Sequence, residues 1–140
     1  MASNYEAICK ENRESYGTKG AQKSGKLAAG LYDDRTHFIF ELLQNAEDAL
    51  GRRGEWHGSR KVEFTLNPAR LTLSHFGKPF DEADVRSVCD IAESTKNEAS
   101  IGRFGLGFKS VYTVTDLPEI HSGTEDFAIE NYVFPKQMAR

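Results

Sequence analysis

Apolar positions recur with two different periods along this chain, and the change from one period to the other marks its elements. From Asp33 to Leu50 the period is helical. In HFIFELLQNAEDAL, successive residues about 100° apart put Glu41, Gln44, Asn45 and Asp48 in one polar stripe, flanked by Phe38, Leu42, Ala46 and Ala49, with Phe40 outside this division. KVEFTL then alternates, placing Val62, Phe64 and Leu66 on one face of a strand. NPAR supplies a turn, and Leu71 and Leu73 continue the alternation, predicting a hairpin with one buried face. Asp81 followed by Asp84 predicts a capped helix with Val85, Val88 and Cys89 as its apolar stripe.

Elsewhere the pattern is weaker. Residues 3 to 15 predict a short helix capped by Ser3 or Asn4, with Tyr5, Ile8 and Cys9 inward. Residues 17 to 30, rich in glycine and lysine, and the polar run at 92 to 100 predict loops. FKSVYTV predicts a helix burying Phe108, Val111 and Tyr112, and PEIHSG and DFAIENYVF predict strands. Helices and strands mix without βαβ alternation, so the expected class is α+β, helices against a mostly antiparallel sheet.

Composition narrows the function classes. A chain of 140 residues buries about two thirds of its unfolded surface in a single core, without help from disulfides or metal. Cys9 and Cys89 are far apart and form no CxxC pair, so they read as buried or inert thiols. The net charge of -3 is unlike the basic footprint of a nucleic-acid binder, although Lys19, Lys23 and Lys26 form a local basic stretch. The sequence shows neither a secretory leader nor a membrane span, which gives the expectation of a cytoplasmic protein.

The segment IGRFGLGFKS carries candidate chemistry. Gly102, Gly105 and Gly107 with Lys109 and Ser110 resemble a phosphate loop, but Phe108 separates the last glycine from the lysine and the preceding residues are polar, which excludes a Walker loop. The GxxGxG spacing also misses the dinucleotide fingerprint. Two readings stay open here: glycines that permit close packing, or backbone N–H groups that receive an anion at a helix start. The helix of Glu41 is open in the same way, since its polar stripe suits either solvent or a cavity. Beside a phosphate loop, a glutamate can orient water and an asparagine oxygen can hold magnesium.

ELLQNAEDA, followed some sixty residues later by IGRFGLGFKSVY with LSHFGKPFDEADV between them, resembles the motif set of the GHKL ATPases, the superfamily of gyrase B, heat-shock chaperones, histidine kinases and MutL. The wording is closest to the sacsin-type, chaperone-like branch, and the resemblance covers residues 33 to about 123. It implies a Bergerat-type nucleotide pocket that binds ATP and Mg2+. Glu41 matches the water-activating glutamate, Asn45 the magnesium ligand, and Asp48 the nucleoside end. Gly77 matches the glycine that the base approaches. Ser94, Thr95 and Lys96 fall in the lid, and Gly102, Gly105, Gly107 and Phe108 present N–H groups to the phosphates. A contact from Lys109 to phosphate is inferred in addition, at a position that varies in the superfamily.

Two departures qualify the match. The superfamily places an aspartate where this chain has His75, to accept from the adenine amino group. A neutral imidazole accepts one hydrogen bond and a protonated one accepts none. Loss of a charged acceptor costs about 1.5 to 3 kcal/mol, roughly tenfold to a hundredfold in affinity. Relaxed base selectivity, with binding that falls as pH drops, is therefore expected. The residues beyond 123 also supply less sheet than the superfamily carries, so a fragment or reduced form, truncated at the C-terminus, is expected, completed as a homodimer or by further domains of a larger protein.

The expected organisation is an N-terminal helix and flexible basic segment at 1–30 and a nucleotide-binding domain at 31–140. The expected function is slow magnesium-dependent ATP hydrolysis that couples lid closure to a partner. The alternative is a non-hydrolysing nucleotide sensor or interaction module, while nucleic-acid binding finds little support.

Overall fold

Asn4 starts the first helix: its Oδ1 accepts from the Ala7 N–H at 3.1 Å, satisfying one of the donors that a helix start leaves free. In the computed structural model, residues 2–29, 35–90 and 107–139 are described, 18–29 as backbone only. Helix α1 spans Tyr5–Ala29 and is broken at Gly17, whose φ of 63° and ψ of 166° lie outside the helical region. Residues 17 to 29, expected as a loop, are thus helical after the break. Glycine counts suggested otherwise, but Gly17 is where the special conformation sits, and the other glycines of the stretch are carried by the alanine, lysine and glutamine around them.

Helix α2 spans His37–Gly51 and α3 spans Glu82–Val88. The start of α3 is the capping box expected at Asp81: its Oδ1 accepts from Asp84 N at 3.0 Å, and Asp84 Oδ2 accepts from Asp81 N at 3.0 Å. A 3-10 helix at Lys109–Thr113 follows the glycine run. Strands β1 (Glu63–Asn67) and β2 (Arg70–Ser74) form an antiparallel hairpin, with Phe64 opposite Leu73 and Leu66 opposite Leu71. Strands β3 (Glu119–Ser122), β4 (Glu125–Glu130) and β5 (Phe134–Gln137) form a second antiparallel sheet in that order. DFAIENYVF, expected as one strand, is split into β4 and β5 by Asn131 and Tyr132, both at positive φ. The class is α+β and every described strand pair is antiparallel, but the sheet is in two pieces.

The core lies between α1, α3, the 3-10 helix and β4, where Ile8, Val85, Val88, Val111 and Phe127 are buried. The N-terminal segment belongs to it. The Tyr5 ring packs 5.3 Å from that of Phe127, and its hydroxyl donates to the buried Glu125 at 2.9 Å. Ser3 N–H donates to both oxygens of the same carboxylate. Asn12 Nδ2 donates to Val133 O at 2.8 Å and Cys89 O at 3.2 Å. Burial and then the Glu125 bond push the Tyr5 hydroxyl up to about 12. Cys9 and Cys89 are free thiols, both raised in pKa by burial.

The hairpin departs from expectation. Its apolar face alternates as read, yet Phe64 and Leu71 are exposed and Leu66 keeps 78% of its surface. Alternation selects a face; it does not supply a second layer to cover it. No described helix is long and apolar enough to cross a membrane.

Candidate functional site

Helix α2 holds the polar stripe, and its flanking positions decide where that stripe points. Phe38, Ala46 and Ala49 are buried, which seats the helix, while Phe40 faces outward at 68% exposure. Glu41 and Asn45 then lie one turn apart on the inner margin, Glu41 largely covered and Asn45 buried. Asn45 Nδ2 has no hydrogen-bond partner among the described residues, an uncommon state for a buried amide.

The end of the glycine run meets this margin. A Cβ added at Gly107 would overlap Glu41 Oε2 and stand 3.2 Å from its Cδ, so glycine is what allows the carboxylate to lie against the backbone there. Ser110 Oγ donates to Gly107 O at 2.7 Å and fixes that peptide from below. Phe108 is buried with its ring edge-on to Tyr112, the centroids 6.4 Å apart. The other carboxylate oxygen, Glu41 Oε1, is 2.9 Å from His37 Nε2. His37 sits four residues before Glu41, a spacing legible in the sequence but not singled out there.

Further along α2 is a shallow hollow with an apolar floor of Ala46, Leu50, Val62 and Phe76. Arg60, Lys61 and His75 stand around it. The chain after β2 is clamped to this end of α2: Lys78 N–H donates to Ala49 O at 2.8 Å, and Arg52 donates to both oxygens of Asp84 at 2.9 and 3.3 Å. Gly77 is consequently packed onto the helix, where a Cβ would overlap Ala49 Cβ and lie 3.0 Å from His75 Cε1. Gly77 N–H donates to His75 Nδ1 at 3.0 Å. Partial burial lowers the His75 pKa from its ordinary value. Of the residues around the hollow, sequence reading picked out His75 and Gly77 for this role and missed Arg60 and Lys61, which come from a loop without periodicity.

Not every expected site residue is found at these two places. Asp48 is exposed and does not line the hollow. Ser94, Thr95, Lys96, Gly102 and Gly105 lie outside the described residues. The expectation for Lys109 is corrected. Its side chain is fully buried, and Nζ donates to Val88 O and, at 3.0 Å, to Tyr132 O, within 5.7 Å of the Tyr112 ring centroid. Desolvation pulls its pKa down to about 8. An ammonium engaged with two carbonyls inside the core is a tie between α3 and the β4–β5 turn, not a reach toward phosphate. The expected hydrogen-bond capacity of His75 is corrected too: Gly77 already occupies its acceptor nitrogen.

Helix α2 therefore carries two separate features: the Glu41–Gly107 contact with the buried Asn45 amide one turn on, and, towards its C-terminal end, a small hollow lined by Ala46 and Leu50 together with Arg60, Lys61 and His75. Residues 29–131 match the Sacsin domain family. The chain is 36% identical over 106 residues to Protein NO VEIN of Arabidopsis thaliana, covering 74% of this chain and 4% of that protein. It is 28% identical over 123 residues to human Sacsin, covering 74% and 2%, and 26% identical over 138 residues to Chaperone protein HtpG of Aliarcobacter butzleri, covering 79% and 22%. The chain thus spans a small part of the length of each of these relatives. No solved structure matches it. With the family match extending over most of its residues, the chain belongs to the Sacsin domain family.

Proposed function

We propose that this chain is a magnesium-dependent nucleotide-binding domain of the GHKL type that hydrolyses the terminal phosphate of ATP slowly and passes its nucleotide state to a partner or to other parts of a larger assembly. The observation that carries this reading is the contact of the Glu41 carboxylate with Gly107, with the unpaired amide of Asn45 one turn on. The similarity to HtpG and Sacsin supports it.

The residues fit the ligands the family implies. Rotating the Asn45 amide by half a turn puts its oxygen where the unpaired nitrogen lies, which would offer a hard oxygen ligand for magnesium. Magnesium held there would neutralise charge on the phosphates. Gly107 lets the backbone of the glycine run come up against Glu41 Oε2, so a phosphate held by that backbone would lie next to the carboxylate. Glu41, held at Oε1 by His37, keeps Oε2 to orient a water. The water oxygen attacks the terminal phosphorus, its proton passes to Glu41, and the bond to the bridging oxygen breaks to release ADP and phosphate. Positioning and electrostatics supply the rate enhancement.

A non-hydrolysing sensor is the second reading, favoured by His75 at the position where the superfamily has an aspartate. Phosphate release by wild type and by Glu41→Ala, with binding of a nonhydrolysable ATP analogue measured alongside, separates the two. Release that falls to background in Glu41→Ala while the analogue still binds establishes the hydrolase. Equal background rates with intact binding leave the sensor, and no binding by either protein removes both.

A further inference from the structure

His37 opens α2, behind Thr36 at the N-cap, and Glu41 follows one turn later on the same face. The two side chains meet at 2.9 Å, from Nε2 to Oε1. Their surroundings differ. The carboxylate side chain keeps 15% of its surface and the imidazole 34%, so water reaches the ring more readily than the acid. The other carboxylate oxygen lies against the backbone at Gly107, so the two oxygens of Glu41 have separate neighbours.

The pairing sets the tautomer of the ring. An ionised carboxylate only accepts, so the nitrogen facing it carries hydrogen and Nε2–H donates. Gain or loss of a second proton then takes place at Nδ1, on the far side of the ring. The hydrogen bond survives either change, and what alters is the charge beside Glu41. A neutral imidazole orients the carboxylate. An imidazolium also pairs with it as an ion, which favours the ionised form and makes the carboxylate a poorer acceptor of a proton. Cations on the neighbouring described elements are committed elsewhere: Arg35 donates to Thr113 O at 3.4 Å, Lys109 to Val88 O and Tyr132 O, and Arg52, at the other end of α2, to Asp84. Phe40, whose ring centroid is 6.3 Å from that of His37, is uncharged, and Tyr112 on the 3-10 helix packs against Phe108 and Tyr132.

We infer that His37 is a positioning residue whose charge gates hydrolysis: the neutral ring holds Glu41 ready to take a proton from water at Oε2, and the imidazolium turns that step down. The inference rests on the proposed hydrolase and adds its regulation. Because His37 acts through Glu41 on the proton transfer, its charge is read in kcat and not in KM. Histidine side chains change charge between about pH 5 and 8, whereas glutamates ordinarily titrate below that range, so the position of the acid limb tells which group sets it.

The test is the pH profile of phosphate release from magnesium ATP by the wild-type chain and by His37→Gln, with thermal melts at each pH to confirm that both are folded. Glutamine donates to Oε1 but takes up no proton, and every other titrating group is common to the two proteins. We expect the wild-type kcat to fall at least about fivefold from pH 8 to pH 5.5 with KM within about twofold, and the kcat of His37→Gln to change by less than about twofold. If His37→Gln does not fold, His37→Leu takes its place, slower at pH 8 but equally flat. A flat wild-type profile, or the same acid limb in wild type and variant, overturns the inference and leaves the hydrolase standing. Release by wild type no faster than by Glu41→Ala at any pH overturns both.

Discussion

Glu41 Oε2 occupies the space that a β-carbon on residue 107 would need, so the carboxylate of α2 and the end of the glycine run are in contact through the missing side chain of Gly107. Replacing that hydrogen by a methyl group has a specific consequence. In Gly107→Ala the flexible end of Glu41 gives way and the fold survives, with a stability loss of about 1 kcal/mol. Phosphate release is expected to fall about a hundredfold, the scale that small misplacements of a catalytic group produce. Thermal melts and a phosphate-release assay check the pair of outcomes, and equal activity would show that Glu41 does not act from this position.

His37 holds the other oxygen of the same carboxylate. His37→Leu is expected to lower kcat about tenfold and leave KM near its wild-type value if the side chain acts only through Glu41. His37→Gln, which retains a donor of similar reach, is expected to recover most of the rate. A parallel rise in KM in the leucine variant would point to a wider structural change.

Lys109 is expected to matter for stability and not for phosphate affinity. Lys109→Met keeps the aliphatic stem but leaves the carbonyls of Val88 and Tyr132 without a donor, at a cost of about 1 to 3 kcal/mol. Lys109→Ala also opens a cavity and costs more. Urea unfolding reads both. Nucleotide affinity of the folded methionine variant within about twofold of wild type is the expected companion result, and a large loss would restore the phosphate role.

Two histidines are expected to shape the pH dependence of stability with opposite signs. His121 donates to Asp126 at 2.7 Å and to Glu119 at 3.2 Å, and these carboxylates raise its pKa above 6.5. Its contribution is fully present below pH 6.5 and is lost as pH rises through the raised value. His75 is lowered by burial, so its contribution is present above pH 6.5 and is lost as pH falls through the lowered value. Urea midpoints from pH 5 to 9 should lose part of their alkaline decline in His121→Gln. An unchanged alkaline limb in that variant would show that the two carboxylates do not hold the proton in solution.

Local signals were legible in the sequence. The helical period of α2, the alternation in both hairpin strands and the Asp81–Asp84 capping box each depend on residues a few positions apart, and each is present. Glu41 and Asn45 could be placed on one margin of a helix for the same reason. What sequence could not give depends on distant neighbours. Lys109 is buried because Val88 and Tyr132 bring carbonyls to it. The alternation of Phe64 and Leu66 is real, but the partner that would cover it is not encoded in the period. The tautomer of His75 depends on how the next turn docks onto Ala49, which no spacing rule reports.

The tie from Lys109 to the carbonyl of Val88 joins two points twenty-one positions apart in the chain. The second bond of this ammonium, to the carbonyl of Tyr132, brings the turn between β4 and β5 to the same point. One buried ammonium therefore pins the end of α3, the start of the 3-10 helix and that turn together, so loosening any one of the three exposes the donor on which the other two depend.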